Sequence, residues 1–294
     1  MPIWQAIVLG VVQGLTEFLP ISSTAHLLLV QEWLGRTREE LKSDPITVVI
    51  QLGTLVAVCI YFRKELSLLL GGLYRDLFDN RIVTSASPEG KLAKQVLVAT
   101  VPALAVGAAF SSKLKEHFYN PPAIAVVSIV FALLMLASEV YAGRRRRNGR
   151  PERDEWSITW WDAIFVGLFQ ACALMPGGSR SGTTLTACLF LGLARPSAAR
   201  FSFFMSVPAI AAAGMKDLAE WVIRMKSDVI LQRQAGEQLT NLIVGTLVSF
   251  GVGYLSIAWL MRFLQRYSTG VFVAYRLLLA GVILALVASG FISW

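Results

Sequence analysis

Within the 294 residues, "QGLTEFLPISSTAH" (13–26) gathers a carboxylate, four hydroxyls and an imidazole into a short stretch flanked by apolar sequence. Such a set could supply a nucleophile, Ser23, with Glu17 or His26 as its base. A second stretch, "PGGSRSGTT" (176–184), is suited to a different task. Gly177 and Gly178 permit a sharp turn and a close backbone approach to a ligand. Ser179, Ser181, Thr183 and Thr184 lead into a run that reads as a helix, whose first N–H groups have no partner within it. A helix start with small residues favours anions, and the Arg180 guanidinium adds a fork of donors suited to phosphate. Ser22, Ser23 and Thr24 offer the same kind of helix start in the first stretch. Taken singly, these features have plainer readings: a Ser/Thr cluster is ordinarily a cap, and a lone histidine an interior residue. Their convergence outweighs that, because Glu17 and Arg180 stand in apolar surroundings where a charge is costly unless paired or functional. Gln13 lies one turn before Glu17 on the same helix face. His26 stands three residues after Ser23 and four after Ser22, so a helix there puts its imidazole on their face.

The elements that must position these residues are membrane helices. Hydrophobic residues make up 55% of the chain and charged ones 16%, too apolar a balance for an ordinary soluble domain. Apolar runs at 46–62, 94–110, 121–142, 198–215, 240–261 and 271–292 approach the roughly 20 residues that a crossing needs. They predict an all-α polytopic membrane protein with six transmembrane helices. The first apolar stretch lacks a basic flank and reads as no cleavable signal peptide. Cys59, Cys172 and Cys188 sit singly in apolar segments and read as buried small hydrophobes, not a disulfide frame or a metal site. The net charge of +8 is spread over loops between spans, which argues for orientation in a membrane and against nucleic acid. Loops 63–94, 143–156, 195–200 and 262–266 hold sixteen of the 27 Lys and Arg, and the alternate loops nine, so the richer set is expected in the cytoplasm. Two basic residues remain. Arg276 lies near a helix start, where a snorkelling side chain is the plain reading, and Arg180 has no such exit.

The chain also repeats itself. "QAIVLGVVQ" (5–13) lines up with "DAIFVGLFQ" (162–170), matching Ala6, Ile7, Gly10 and Gln13 with Ala163, Ile164, Gly167 and Gln170. After a one-residue gap, Pro20 matches Pro176 and Ser23 matches Ser179. Each copy opens with two short apolar pieces, 3–19 with 22–34 and 160–175 with 180–194, followed by three full spans. Pieces this short fit a re-entrant hairpin better than two crossings. Three crossings per copy is an odd number, so the second copy must be inverted. The chain is then one integral membrane domain made of an inverted-topology repeat, 1–142 and 160–294, around a basic cytoplasmic linker at 143–159. The hairpin tips, 17–24 and 176–182, are expected to meet inside the membrane, an arrangement common in transporters.

Both tips resemble the signatures of bacterial undecaprenyl-pyrophosphate phosphatases, the bacitracin-resistance family of membrane enzymes. Gln13 and Glu17 fit its Glu/Gln-x-x-x-Glu motif, and Ser22, Ser23 and His26 its Ser-Ser-x-x-His stretch. Pro176, Gly177, Ser179, Arg180, Ser181 and Thr184 fit its Pro-Gly-x-Ser-Arg-Ser-x-x-Thr signature. The likeness extends to "VVIQLGTLVAV", "RFSFFMSVPAI" and "AYRLLLAG", and so to essentially the whole chain. It implies hydrolysis of undecaprenyl (polyprenyl) diphosphate to the monophosphate, which recycles the carrier for peptidoglycan synthesis and gives bacitracin resistance. It implies a place in the bacterial cytoplasmic (inner) membrane, with the site opening to the periplasmic side. Partners are then the lipid substrate and membrane lipids, with a homodimer left open. The catalytic set would be Glu17, Ser23, His26 and Arg180, with Ser22, Thr24, Gly177, Gly178, Ser179, Ser181 and Thr184 binding phosphate. Ser23 leads as nucleophile, ahead of a phosphorylated His26 and an activated water. A divalent cation, Mg2+ or Ca2+, would bridge the diphosphate to Glu17. Gln13, where the motif also admits glutamate, would be at most a neutral oxygen ligand. The rival reading is a lipid-phosphate flippase or small-anion transporter using the same site. Another membrane lipid-phosphatase superfamily has a Ser-Arg-x5-His-x3-Asp signature, but no His or Asp follows Arg180 at that spacing.

Overall fold

In lipid every backbone N–H and C=O must find its partner within the protein, so long apolar segments are helical. A computed structural model describes residues 1–35, 46–78, 87–227 and 235–290, in which eleven α-helices form. Helices α5 (Pro88–Phe118), α6 (Pro121–Arg147), α9 (Arg195–Ser227), α10 (Ala235–Arg266) and α11 (Gly270–Ala288) are long and apolar enough to cross a membrane. Helix α3 (Ile46–Tyr61), the sixth predicted crossing, has 16 residues, so five helices among the described residues reach crossing length where the sequence predicts six. Val101, Leu133, Leu247 and Leu278 remain exposed on these helices, an apolar exterior that a bilayer covers. The protein is an all-α polytopic membrane protein.

Four shorter helices form two hairpins: α1 (Ile3–Thr16) with α2 (Ser23–Trp33), and α7 (Trp160–Cys172) with α8 (Arg180–Phe190). Their N-caps Ser22 (φ 74°) and Ser179 (φ 63°) are the only non-glycine residues with positive φ among the described residues. That shared conformation corrects the predicted alignment. Ser179 corresponds to Ser22, not Ser23, and the one-residue gap disappears; Arg180 then corresponds to Ser23, and Leu174 to Glu17. The hairpins pack reciprocally, α1 along α10 and α7 along α5. A Cβ on Gly10 would stand 2.6 Å from the Gly245 carbonyl oxygen, and one on Gly167 2.5 Å from that of Ala99. The matched glycines therefore mark a backbone-close helix crossing at the first helix of each hairpin.

Two predicted loops are more structured than expected. Helix α4 (Arg63–Phe78) occupies part of 63–94, packs on α5 and buries Leu69 and Gly72. Lys94 donates to Asp76 at 2.8 Å and holds its carboxyl below the usual carboxylate range. Helix α6 runs on through Arg147 into the predicted linker. Beyond it Arg153 donates to Asp162 Oδ2 at 2.6 Å and to the carbonyls of Ser157 and Leu191, clasping the linker to the start of α7 and the end of α8. A capping box between Thr159 and Asp162 starts α7. The cysteines are free; Cys188 is buried and Cys59 half-buried, but Cys172 is exposed, contrary to expectation. Of the loops that set the expected orientation, 36–42 and parts of 63–94 and 216–233 lie outside the described residues.

Candidate active site

The last turn of α1 brings Gln13 and Glu17 onto one face, both buried, and Gln13 Nε2 donates to Glu17 Oε2 at 2.7 Å. Ser23, the first residue of α2, donates its hydroxyl to the same oxygen at 3.1 Å. The other carboxylate oxygen, Oε1, pairs with Arg180 Nη2 from the start of α8. Ser181 donates to the Leu19 carbonyl at 3.1 Å and joins the tips a second time. The predicted meeting of 17–24 with 176–182 is thus present. Its physical reason is that a buried carboxylate is tolerable only when paired and hydrogen-bonded, and Glu17 has three donors.

Glycine at 177 is required twice over. Its φ is +95°, and a Cβ there would stand 2.5 Å from the Ile124 carbonyl oxygen of α6. The turn directs the carbonyls of Gly177 and Gly178 to Arg276 Nη2, which donates to them at 2.8 and 3.2 Å. Arg276 does not snorkel, as the sequence reading expected; it is fully buried, because inward-turned carbonyls need donors. Ser179 Oγ caps α8 by accepting from Gly182 N at 3.2 Å.

A small space opens over the ion pair, lined by Glu17, Phe18, Arg180, Ser181, Ser202, Phe203 and Ser206. Phe18 and Phe203 meet edge to face, their centroids 5.4 Å apart, and form its apolar side. Ser202 and Ser206, one turn apart on α9, were not singled out from the sequence, although they lie in the quoted "RFSFFMSVPAI". The i, i+4 spacing of hydroxyls in an apolar span was the available signal. Several predicted residues stand beside the lining, not on it. His26 Nδ1 lies 2.7 Å from the Ser22 carbonyl and Nε2 2.6 Å from the Tyr275 hydroxyl, with the two rings stacked. A carbonyl only accepts, so Nδ1 carries the proton, and neutral Nε2 accepts from Tyr275. Ser22 Oγ caps α2. Thr24 is half-buried on α2. Thr184 donates to the Arg180 carbonyl at 2.8 Å and lies 2.5 Å from Ser202 Oγ. No cluster of three His, Cys, Asp or Glu side chains forms among the described residues. Gln13 Oε1, beside Glu17, is buried without a hydrogen-bond partner.

An acid, hydroxyls and a guanidinium from two hairpin tips thus meet beside one small cavity of a helical membrane protein. Known proteins are similar to this chain in sequence. Residues 6–282 match the family described as bacitracin resistance protein BacA. The chain is 40% identical over 294 residues to the undecaprenyl-diphosphatase of Chlorobaculum parvum, covering 99% of each. It is 42% identical over 296 residues to the undecaprenyl-diphosphatase of Myxococcus xanthus, covering 100% of this chain and 92% of the relative. The chain belongs to the bacitracin resistance protein BacA family.

Proposed function

We propose that this protein hydrolyses undecaprenyl diphosphate to the monophosphate and phosphate, returning the lipid carrier to peptidoglycan synthesis. One observation carries the reading: Glu17 of the first tip pairs with Arg180 of the second while its other oxygen receives the Ser23 hydroxyl. Arg180 is thereby stored on a carboxylate that a more highly charged diphosphate displaces, since a phosphate accepts the guanidinium fork in two places. The Ser181 hydroxyl and the positive end of α8 complete the cradle. Glu17, relieved of Arg180, is left facing the Ser23 proton. Ser23 Oγ attacks the terminal phosphorus, its proton passes to Glu17, and the bond to the bridging oxygen breaks. The lipid monophosphate leaves with that proton. Water then attacks the phosphoserine and gives a proton to Glu17, the bond to Ser23 Oγ breaks, Glu17 returns the proton to that oxygen, and phosphate departs. His26 is the weaker candidate for nucleophile because both ring nitrogens are engaged.

The donor set suits a divalent cation that arrives with the diphosphate. Glu17 and, with its amide turned, the partnerless Gln13 Oε1 would hold it, and Mg2+ or Ca2+ would supply charge neutralisation on the diphosphate oxygens. The bacterial cytoplasmic membrane is the setting in this reading. The two halves are inverted, the 143–156 segment is cytoplasmic, and the site faces the periplasm where the diphosphate is released. Purified protein in detergent tests the function, because phosphate release from undecaprenyl diphosphate needs no sealed membrane whereas transport does. Release that chelator suppresses is the expected outcome; no release in detergent, with lipid or anion movement in sealed vesicles, favours the transporter.

A further inference from the structure

Arg276 is the most deeply buried charge among the described residues, and the site chemistry above makes no use of it. It is fully buried on α11 and, among the described residues, forms no ion pair and leaves Nε and Nη1 without partners. An unpaired buried guanidinium is costly, so packing stability alone is a poor reason for it. What it does is hold the Gly177 and Gly178 carbonyls, the turn directly before Ser179 and Arg180. Its neighbour Tyr275 holds His26, on the other hairpin, through a hydroxyl 2.6 Å from Nε2. Successive side chains leave a helix about 100° apart, so these two reach one tip each from a single turn of α11. Their base is firm. Helix α11 packs along α6, and α2 joins them through Ala25, Leu28, Ile124 and Ala280. The Gly177 turn rests on the Ile124 carbonyl of the same α6.

We propose that Tyr275 and Arg276 are positioning residues: a strap on α11 that fixes the two tips relative to each other. It thereby fixes the approach of the Ser23 hydroxyl to a phosphate held by Arg180 and Ser181. The proposal rests on the phosphatase reading. Misplacing reacting groups by 1 Å costs on the order of 100-fold in rate. Arg180 and Ser181 sit together at the start of α8 and move as one when the strap is cut, so the phosphate they hold keeps its contacts while its distance from Ser23 changes, and the loss falls on kcat more than on KM.

The test compares wild type, Arg276→Met, Arg276→Lys and Tyr275→Phe as purified full-length protein in detergent. It measures phosphate release from undecaprenyl diphosphate and thermal unfolding. Methionine keeps the apolar bulk of arginine and removes its donors. Arg276→Met is expected to lose about 100-fold in kcat and to change KM by less than about threefold. Its Tm should change little, since the removal of an unpaired buried charge offsets the loss of a donor to two carbonyls. Arg276→Lys, which can still donate to the carbonyls, should recover much of kcat. Tyr275→Phe, which keeps the stacked ring, should lose about tenfold. An Arg276→Met turnover within about twofold of wild type overturns the proposal. So does a loss tracked by a fall in Tm with no recovery in Arg276→Lys, which would make Arg276 a packing residue. Absence of release by wild type would overturn the phosphatase reading and the strap with it, whereas a normal wild type with an unaffected Arg276→Met removes the strap alone.

Discussion

Hairpin α1–α2 and hairpin α7–α8 match helix for helix, down to N-cap serines in the same left-handed conformation. Yet position 17 is glutamate where position 174 is leucine, and position 23 is serine where position 180 is arginine. One backbone plan thus presents an acid and a hydroxyl from one side and a guanidinium from the other. The two glutamines make the same point. Gln13 donates to Glu17, whereas neither polar atom of buried Gln170 has a partner, because its half of the molecule carries no acid at the matching place. Near-symmetric scaffolding builds an asymmetric site when each half supplies one sign of charge.

The sharpest way to break this division is to remove one sign. Glu17→Ala and Arg180→Ala should each lower phosphate release by about 1000-fold or more, comparable to losing a main charge-stabilising group. Each single change strands a mostly buried charge, which costs up to about 3–5 kcal/mol for a fully buried pair and less here, where Arg180 is partly exposed. The double variant should therefore lose less stability than the sum of the singles in denaturant unfolding. Additive losses would mean that the tips are not coupled.

Where the hairpins are alike, they should fail alike. Gly10→Ala and Gly167→Ala each push a methyl onto a backbone carbonyl of the opposite half and should destabilise by about 1–3 kcal/mol. A large effect at one and none at the other would break the matched-crossing account.

The glutamines should then diverge. Gln13→Leu removes a donor to Glu17 and should slow turnover about tenfold. Gln170→Leu removes an unsatisfied amide and should leave turnover unchanged while raising stability by about 1 kcal/mol. Equal effects on phosphate release would show that the halves share the chemistry. The smallest expected effect is at the caps. Ser22→Gly and Ser179→Gly exchange a capping oxygen for freedom at positive φ and should each shift stability by a few tenths of a kcal/mol.

What the sequence made legible follows from cost. A glutamate and an arginine in apolar surroundings had to find each other, and hairpins too short to cross had to turn back, so the meeting of tips could be read before any coordinates. Gln13 and Glu17 were readable from one helical turn of spacing. Arg276 was not. Its role depends on α11 lying against a turn 99 and 98 residues away in the chain, and near a helix start it looks like a snorkelling side chain. Ser202 and Ser206 were hidden because hydroxyls in an apolar helix commonly bond their own backbone, as Ser206 does to the Phe203 carbonyl. The alignment of the hairpins slipped because it matched serines by identity, whereas backbone conformation equates Ser179 with Ser22. Helix α4 was missed because its charged residues obscured the buried edge at Leu69 and Gly72.

The division of labour is most directly tested by rapid quench, in acid and in parallel in neutral detergent, of purified protein turning over a lipid diphosphate labelled in its terminal phosphate, followed by mapping of the label. The account predicts acid-stable label on Ser23, absent from Ser23→Ala and Glu17→Ala. Label on Ser181 or another second-tip residue, or acid-labile label on His26, would contradict it.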